Sequence, residues 1–136
     1  GYTTLAIGGG ITVLIGLMHF FMPTFGYDVT IPASMLPDIR NHFYYLGTYA
    51  IGGFLLSLGI FSLYLAFKKH ADVILVFSVI MVLLWSLRTI LEFIYPTELS
   101  LFILERPVVI LLPTLVLTTL CYFVTLVASV QNKKQA

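Results

Sequence analysis

Four apolar stretches dominate this sequence of 136 residues, and each is long enough to cross a lipid bilayer as a helix. About 20 apolar residues span a hydrocarbon core in helical form. We therefore predict helices over residues 3–22, 41–67, 72–95 and 107–130. Only 10% of the residues are charged, whereas soluble domains average about 25%. The predicted fold class is an all-α, polytopic integral membrane protein, with residues 1–136 forming a single four-helix transmembrane bundle.

The basic residues outside the predicted helices orient this bundle. All four lysines lie at one end of it, after residue 67 and close to the C-terminus, whereas Arg40 and Arg106 lie at the other end. Basic connections prefer the cytoplasmic side of a membrane. We therefore expect both termini to be cytoplasmic and residues 24–40 and 96–106 to face outwards. The net charge is +1 and no basic run exceeds two residues, so we predict no nucleic-acid partner.

Two charged residues, Arg88 and Glu92, lie inside the third apolar stretch. Their spacing of four residues lets the side chains touch on one face of a helix. Ionisable residues within membrane helices are costly and often functional. Glu92 lies toward the negative end of the helix dipole, which is the weaker order for such a pair. We therefore expect a second partner for Glu92 from another segment, among His19, Arg40, His42 and Arg106.

Further polar side chains are predicted at the depth of this pair, in the outer half of the bundle near residues 24–40. A rise of about 1.5 Å per residue brings His19, Tyr45 and Tyr49 to that level, and the inner half looks nearly free of polar groups. We predict a polar chamber there, roofed by residues 24–40. Its candidate ligand-binding residues are His19, Arg40, His42, Tyr45, Tyr49, Arg88 and Glu92.

This chamber has three alternative interpretations. The first is a structural clamp between helices, the second a binding site for a head group or small molecule, and the third a site of proton transfer. No catalytic residue is assigned, because no nucleophile elbow, phosphate loop or triad pattern occurs. No metal site is predicted, since short ligand spacings are missing and Cys121 is the single cysteine. No cofactor is assigned.

Small residues predict how the helices pack. Gly8, Thr12 and Gly16 share a face of the first helix, while Gly52 and Gly59, together with the pair Gly53 and Ser57, mark the second. Small residues let membrane helices approach closely, so we expect the first two helices to pack together. On the fourth helix we expect one stripe of small polar residues to face inwards: Thr114, Thr118, Cys121 and Thr125.

The second helix and its approach also resemble a known family. The segment Pro37-Asp38-Ile39-Arg40 is followed by Gly47, Ala50, Gly52, Leu55 and Gly59. This pattern is similar to small bacterial four-helix membrane proteins of the DoxX-like type, and Arg88 is compatible with it. The resemblance covers the first three segments. It implies four helices with both ends inside, a location in a bacterial-type inner membrane, and a link to quinone-dependent redox complexes for the named members.

Three functions follow as hypotheses, in this order. The first is an accessory or scaffolding subunit of a membrane complex, whose partners are other membrane subunits or further copies of the chain. The second is a stand-alone binder of a lipid, sterol or quinone-like amphiphile in the polar chamber. The third is a small membrane enzyme that uses Glu92 or His19 as acid or base. The sequence thus leans away from an enzyme.

Overall fold

A computed structural model describes residues 2–30, 46–94 and 107–135 of the chain. These residues form four helices, and each contains a stretch of 20 to 26 residues that is long and apolar enough to cross a membrane. The prediction of an all-α, four-helix chain is confirmed. The helices are α1 (Tyr2–Thr30), α2 (Gly47–Lys68), α3 (Ala71–Ile94) and α4 (Pro107–Gln135).

The observed helices extend beyond the predicted ends by several residues in two places, and the predicted start of the second helix, residues 41–45, lies outside the described part of the chain. Helix α1 continues past Pro23 to Thr30, because a proline removes a single backbone hydrogen bond and long apolar helices tolerate that loss. Residues 24–30 of the predicted roof are therefore helical, while residues 31–40 lie outside the described part of the chain. Helix α4 extends beyond Val130 to Gln135, because Gln and Lys are good helix formers although they are polar.

Helices α1 and α2 pack antiparallel through glycines spaced seven residues apart. A methyl group on Gly16 would lie 2.7 Å from the backbone nitrogen of Leu56 and 3.0 Å from the carbonyl oxygen of Gly52. Two turns further along the contact, a methyl group on Gly59 would lie 3.0 Å from the carbonyl oxygen of Gly9. The predicted close packing of the first two helices is therefore confirmed, with Gly9 as an additional contact.

The pair Gly53 and Ser57 does not take part in this contact. Ser57 is exposed, and a methyl group on Gly53 would meet nothing within 4 Å. The hydroxyl of Ser57 donates to the carbonyl of Gly53 within the same helix, at 2.8 Å. This pair therefore faces away from α1, although its sequence spacing is as suitable for packing as that of the buried glycines.

Helix α2 ends in a tight reversal. Lys69 adopts the left-handed conformation, with φ 58°, and its backbone N–H donates to the carbonyl of Leu65 at 2.8 Å. This is a common way to satisfy the last carbonyls of a helix. Helix α3 begins two residues later at Ala71, so the two helices leave the same end of the bundle.

The remaining contacts close the bundle around α4. Helix α3 packs along α4, and α4 also packs on α1, whereas α2 and α3 are not closely packed along their backbones. The rings of Phe61 on α2 and Phe77 on α3 meet edge to face, with centroids 5.1 Å apart. Phe77 belongs to a buried apolar cluster that also holds Leu5, Leu65, Ile74, Met81, Trp85, Leu115 and Tyr122.

Three buried hydroxyl groups join α1, α2 and α4. The hydroxyl of Tyr122 lies 2.7 Å from that of Ser62 and 3.2 Å from that of Thr12. Thr12 donates to the carbonyl of Gly8, and Ser62 donates to the carbonyl of Leu58. Because a carbonyl only accepts, both of these hydrogens are used within their own helices. Tyr122 is therefore the donor between helices, and Ser62 is its nearer acceptor.

This cluster corrects the expectation that the inner half of the bundle is nearly free of polar groups. Ser62 lies only six residues, about 9 Å of helix, from the end of α2 at Lys68. Thr125 is also buried there, and its hydroxyl lies 2.9 Å from that of Thr4. Ser and Thr hydroxyls can bond the carbonyl four residues earlier. Helices can therefore bury these hydroxyl groups at little cost. A sequence search for charged residues does not find them. The inward stripe of α4 is confirmed at Thr118, Cys121 and Thr125, which are buried, whereas Thr114 is only half-buried.

Both chain termini and the reversal meet at one end of the bundle, which we call the lysine end. The ammonium group of Lys69 lies over the ring of Tyr2, 5.1 Å from its centroid. Tyr2, Ala71 and Lys133 line one cavity at this end. The chain thus gathers its lysines where the sequence predicts them, on the side that holds both termini.

Candidate functional site

An ion pair on α3 forms the centre of the candidate site. The Nη1 atom of Arg88 lies 3.0 Å from the Oε2 atom of Glu92, so the predicted contact between them is confirmed. The side chain of Glu92 is 1% exposed, whereas that of Arg88 is 41% exposed. The carboxylate is therefore buried in the bundle, and the guanidinium reaches from it to the surface.

The helical register explains this difference in burial. Trp85 and Glu92 are seven residues apart, about two turns, so they share the face of α3 that is buried in the bundle. Arg88 lies between them but at the edge of that face. Burying a carboxylate costs several kcal/mol, and the ion pair with Arg88 offsets part of this cost for Glu92. The second partner expected for Glu92 from another segment stays a prediction.

His19 approaches this pair from α1. Its Nδ1 atom lies 2.7 Å from the carbonyl oxygen of Ile15. Since the carbonyl accepts, Nδ1 carries the hydrogen, and the Nε2 atom of the neutral ring is an acceptor. The charge of Arg88 acts on the imidazole from α3. That His19 shares one site with Arg88 and Glu92 stays a prediction.

A glycine of α2 makes room for this histidine. A methyl group on Gly52 would lie 3.1 Å from the Cβ atom of His19 and 3.1 Å from the ring of Phe20. The close approach of α1 and α2 therefore fixes His19 at the edge of the polar site. The same small residues that pack the helices also position this side chain.

Tyr49 of α2 lies beside Phe20 of α1, and its place in the predicted chamber stays a prediction. Its ring stacks on Phe20, with centroids 5.7 Å apart and an angle of 20° between the planes. The residue is 43% exposed, which puts it on the outer surface of the α1–α2 pair. Three further predicted site residues lie outside the described part of the chain: Arg40, His42 and Tyr45.

Trp85 is a site residue that sequence reasoning did not select. It is 1% exposed, and its indole N–H has no hydrogen-bond partner in the described structure. It lies one turn from Arg88 on the inward side. Thr89, the next polar residue on this face, donates to the carbonyl of Trp85 at 2.7 Å and approaches Thr119 of α4 at 3.3 Å. The shared stripe of Trp85, Thr89 and Glu92 was the available signal.

The arrangement is suited to recognising a polar group from the side of the bundle. Arg88 has five N–H donors, and its contact with Glu92 is made by a single nitrogen. Trp85, three residues before Arg88 on the same helix, has a buried indole N–H. Within the described ranges, no group of three or more His, Cys, Asp or Glu residues is close enough to hold a metal ion.

Comparison with known proteins yields no match: no protein-family model, no curated protein and no solved structure is similar to the chain. The resemblance to DoxX-like proteins therefore stays a prediction. The function has to be argued from the geometry alone.

Proposed function

We propose that this chain is an integral protein of a bacterial-type inner membrane and serves as an accessory or scaffolding subunit of a membrane complex. Its partner docks within the bilayer on the side of α3 that carries Arg88. The observation that supports this most is the exposure of Arg88, 41%, beside a carboxylate that is 1% exposed. An accessory or scaffolding subunit is also the first of the three hypotheses from the sequence.

Membrane insertion is supported by the apolar side chains that the helices leave exposed on the outside of the bundle. In an apolar window of 18 residues from each helix, only 28% of the residues are buried inside the bundle. The outward faces carry large apolar side chains such as Leu14, Leu83 and Phe67, which are 61%, 67% and 82% exposed. Monomeric soluble proteins rarely expose apolar patches larger than a few hundred Å². Lipid covers such surfaces without cost.

Docking beside Arg88 is supported by its depth. The residue lies six positions, about 9 Å of helix, before the end of α3 at Ile94. A cation that faces lipid at this depth must bend toward the head groups or find polar partners. Its contact with Glu92 holds it in place, since the carboxylate is fixed in the core. A partner helix that offers acceptors to the remaining donors satisfies both residues.

A second function, the binding of a lipid, sterol or quinone-like amphiphile, is supported by a separate observation. The buried indole N–H of Trp85 has no acceptor in the described structure, and an unpaired buried donor costs about 1–3 kcal/mol. A ligand oxygen that enters beside Arg88 would accept from it. This function is the second hypothesis from the sequence, a stand-alone binder of an amphiphile.

Site-directed photo-crosslinking distinguishes these two functions. A photoreactive residue at Leu91, one turn beyond Arg88 and 41% exposed, reports on the proposed docking side. Val79 is the matched control, because it is 42% exposed and lies nine residues from Arg88, on the opposite side of α3. We expect a discrete protein adduct from Leu91 and lipid adducts alone from Val79.

The other results of this crosslinking experiment decide against a subunit. A specific small-molecule adduct at Leu91, without a protein adduct, would favour the amphiphile-binding function. The same adducts at both positions would mean that the Arg88 side has no special partner, and the subunit function would then be rejected.

A further inference from the structure

A second polar site lies at the opposite end of the molecule from the Arg88–Glu92 pair. A cavity of about 220 Å³ opens at the lysine end, between the start of α1, the start of α3 and the end of α4. Charged and polar side chains from both α3 and α4 line it, as does the ring of Tyr2. The residues that carry the argument are Asp72, Ile74, Leu75, Ser129, Asn132 and Lys133.

The lining combines both signs of charge with an apolar wall. Asp72 supplies a carboxylate and Lys133 an ammonium group, while Ile74 and Leu75 supply hydrocarbon. Asp72 is in the first turn of α3 and Lys133 in the last turn of α4. In a membrane-inserted bundle these turns lie at the level of the lipid head groups, and the apolar wall lies at the start of the hydrocarbon.

From this lining we infer that the cavity binds the head group of a phospholipid that carries both a phosphate and a primary ammonium group, as phosphatidylethanolamine does. Lys133 and Asn132 bind the phosphate, and Asp72 binds the ammonium group. The acyl chains leave along Leu75, which is partly exposed, into the bilayer. The inference rests on membrane insertion, which is part of the proposed function, but not on a partner at Arg88.

The charges select this class of lipid over an anionic one. Basic clusters at the cytoplasmic surface attract anionic lipids, and a cavity lined by Lys133 alone would follow that rule. Asp72 in the same cavity attracts an ammonium group, which phosphatidylethanolamine has and phosphatidylglycerol lacks. Lys69, the nearest lysine in the reversal, already lies over the ring of Tyr2.

The size of the cavity limits what enters it. Pockets that enclose a whole drug-sized ligand have volumes of about 300–1,000 Å³. The volume here, about 220 Å³, is too small for a complete lipid but larger than the roughly 30 Å³ of a water molecule. A head group alone fits these limits, and its chains remain in the membrane.

Native mass spectrometry of the full chain tests the inference. The protein is equilibrated with phosphatidylethanolamine and phosphatidylglycerol that have the same acyl chains, and the bound lipid is counted. We expect the unmodified chain to retain phosphatidylethanolamine in preference. Asp72→Asn should reduce that preference about threefold, because one exposed ion pair is lost. Lys133→Gln should weaken retention of both lipids, since both carry the phosphate.

Lys134→Gln is the matched control, because Lys134 is the neighbouring lysine and does not line the cavity. We expect it to keep the lipid preference of the unmodified chain. Equal retention of the two lipids by the unmodified chain, or an unchanged preference in Asp72→Asn, would overturn the inference. Displacement of the lipid by an equal concentration of soluble phosphoethanolamine would overturn its assignment to a membrane lipid. Each of these results is independent of crosslinking at Leu91.

Discussion

Removing the Arg88 side chain should destabilise the protein by about 3 kcal/mol. The loss arises from Glu92, which is 1% exposed and would keep a buried carboxylate without its cation. Breaking a buried ion pair by removing one partner costs about 3–5 kcal/mol. We expect the lower end of this range, because Arg88 itself is 41% exposed and water or head groups screen it. The free energy of unfolding of Arg88→Ala in mixed micelles measures the effect.

A second substitution shows whether the buried charge is the cause. Adding Glu92→Gln to Arg88→Ala removes the buried negative charge that has lost Arg88, so the double variant should be more stable than Arg88→Ala alone. Lys68→Ala serves as the control for loss of a cation, because Lys68 is exposed and such changes are usually worth less than about 0.5 kcal/mol. If Arg88→Ala behaves like Lys68→Ala, or if Glu92→Gln brings no recovery, the carboxylate does not depend on Arg88.

Alanine at Gly16 or Gly59 should separate α1 from α2. At Gly16 the added methyl group would lie 2.7 Å from a backbone nitrogen of α2, and at Gly59 it would lie 2.7 Å from a backbone nitrogen of α1, that of Val13. Backbone atoms at these distances cannot turn aside, so the helices themselves must move. Overpacking of this kind costs about 1–3 kcal/mol, which we expect as a loss of unfolding free energy for each variant.

Two other glycines provide matched controls for these substitutions. A methyl group on Gly10 or Gly53 would meet nothing within 4 Å. Alanine is a better helix former than glycine by about 0.8–1 kcal/mol, so Gly10→Ala and Gly53→Ala should leave stability unchanged or raise it. Similar effects at all four positions would contradict the glycine contact between α1 and α2.

The sequence predicts those features that depend on distances along one helix. The four spans follow from apolar length, and the contact of Arg88 with Glu92 follows from a spacing of four residues. The inward face of α4 follows from the spacing of Thr118, Cys121 and Thr125 in the same way. Each of these relations is local, so helical geometry alone determines it.

Features that depend on two helices are predicted less well. Gly52 and Gly53 are equally small, and only the register of α2 against Gly16 decides which of them is buried. The contacts of Tyr122 with Ser62 and Thr12 join residues 60 and 110 positions apart, and no periodicity of a single helix selects such partners. The surface position of Tyr49 follows from its stacking on Phe20 of α1, which is likewise a contact between helices.

At the candidate site, the exposure of Arg88 on the side of the bundle is likewise not predicted from the pattern of a single helix. Its depth along α3 can be counted from the sequence, but its exposure of 41% depends on how the helices pack against one another, and α3 packs along α4 but not closely along α2. Helices that are joined by a short reversal are usually close neighbours. Here α4 and α1 take up the central contacts instead.

We propose that the chain crosses a membrane four times with both termini on one side. Single cysteines at His70, Ile94 and Lys134, in a Cys121→Ala background, test it by labelling with an impermeant thiol reagent in membrane vesicles of known orientation. We predict that the cysteines at positions 70 and 134 react from the cytoplasmic side and that the one at position 94 reacts from the opposite side. Labelling of positions 70 and 94 from the same side would contradict the account.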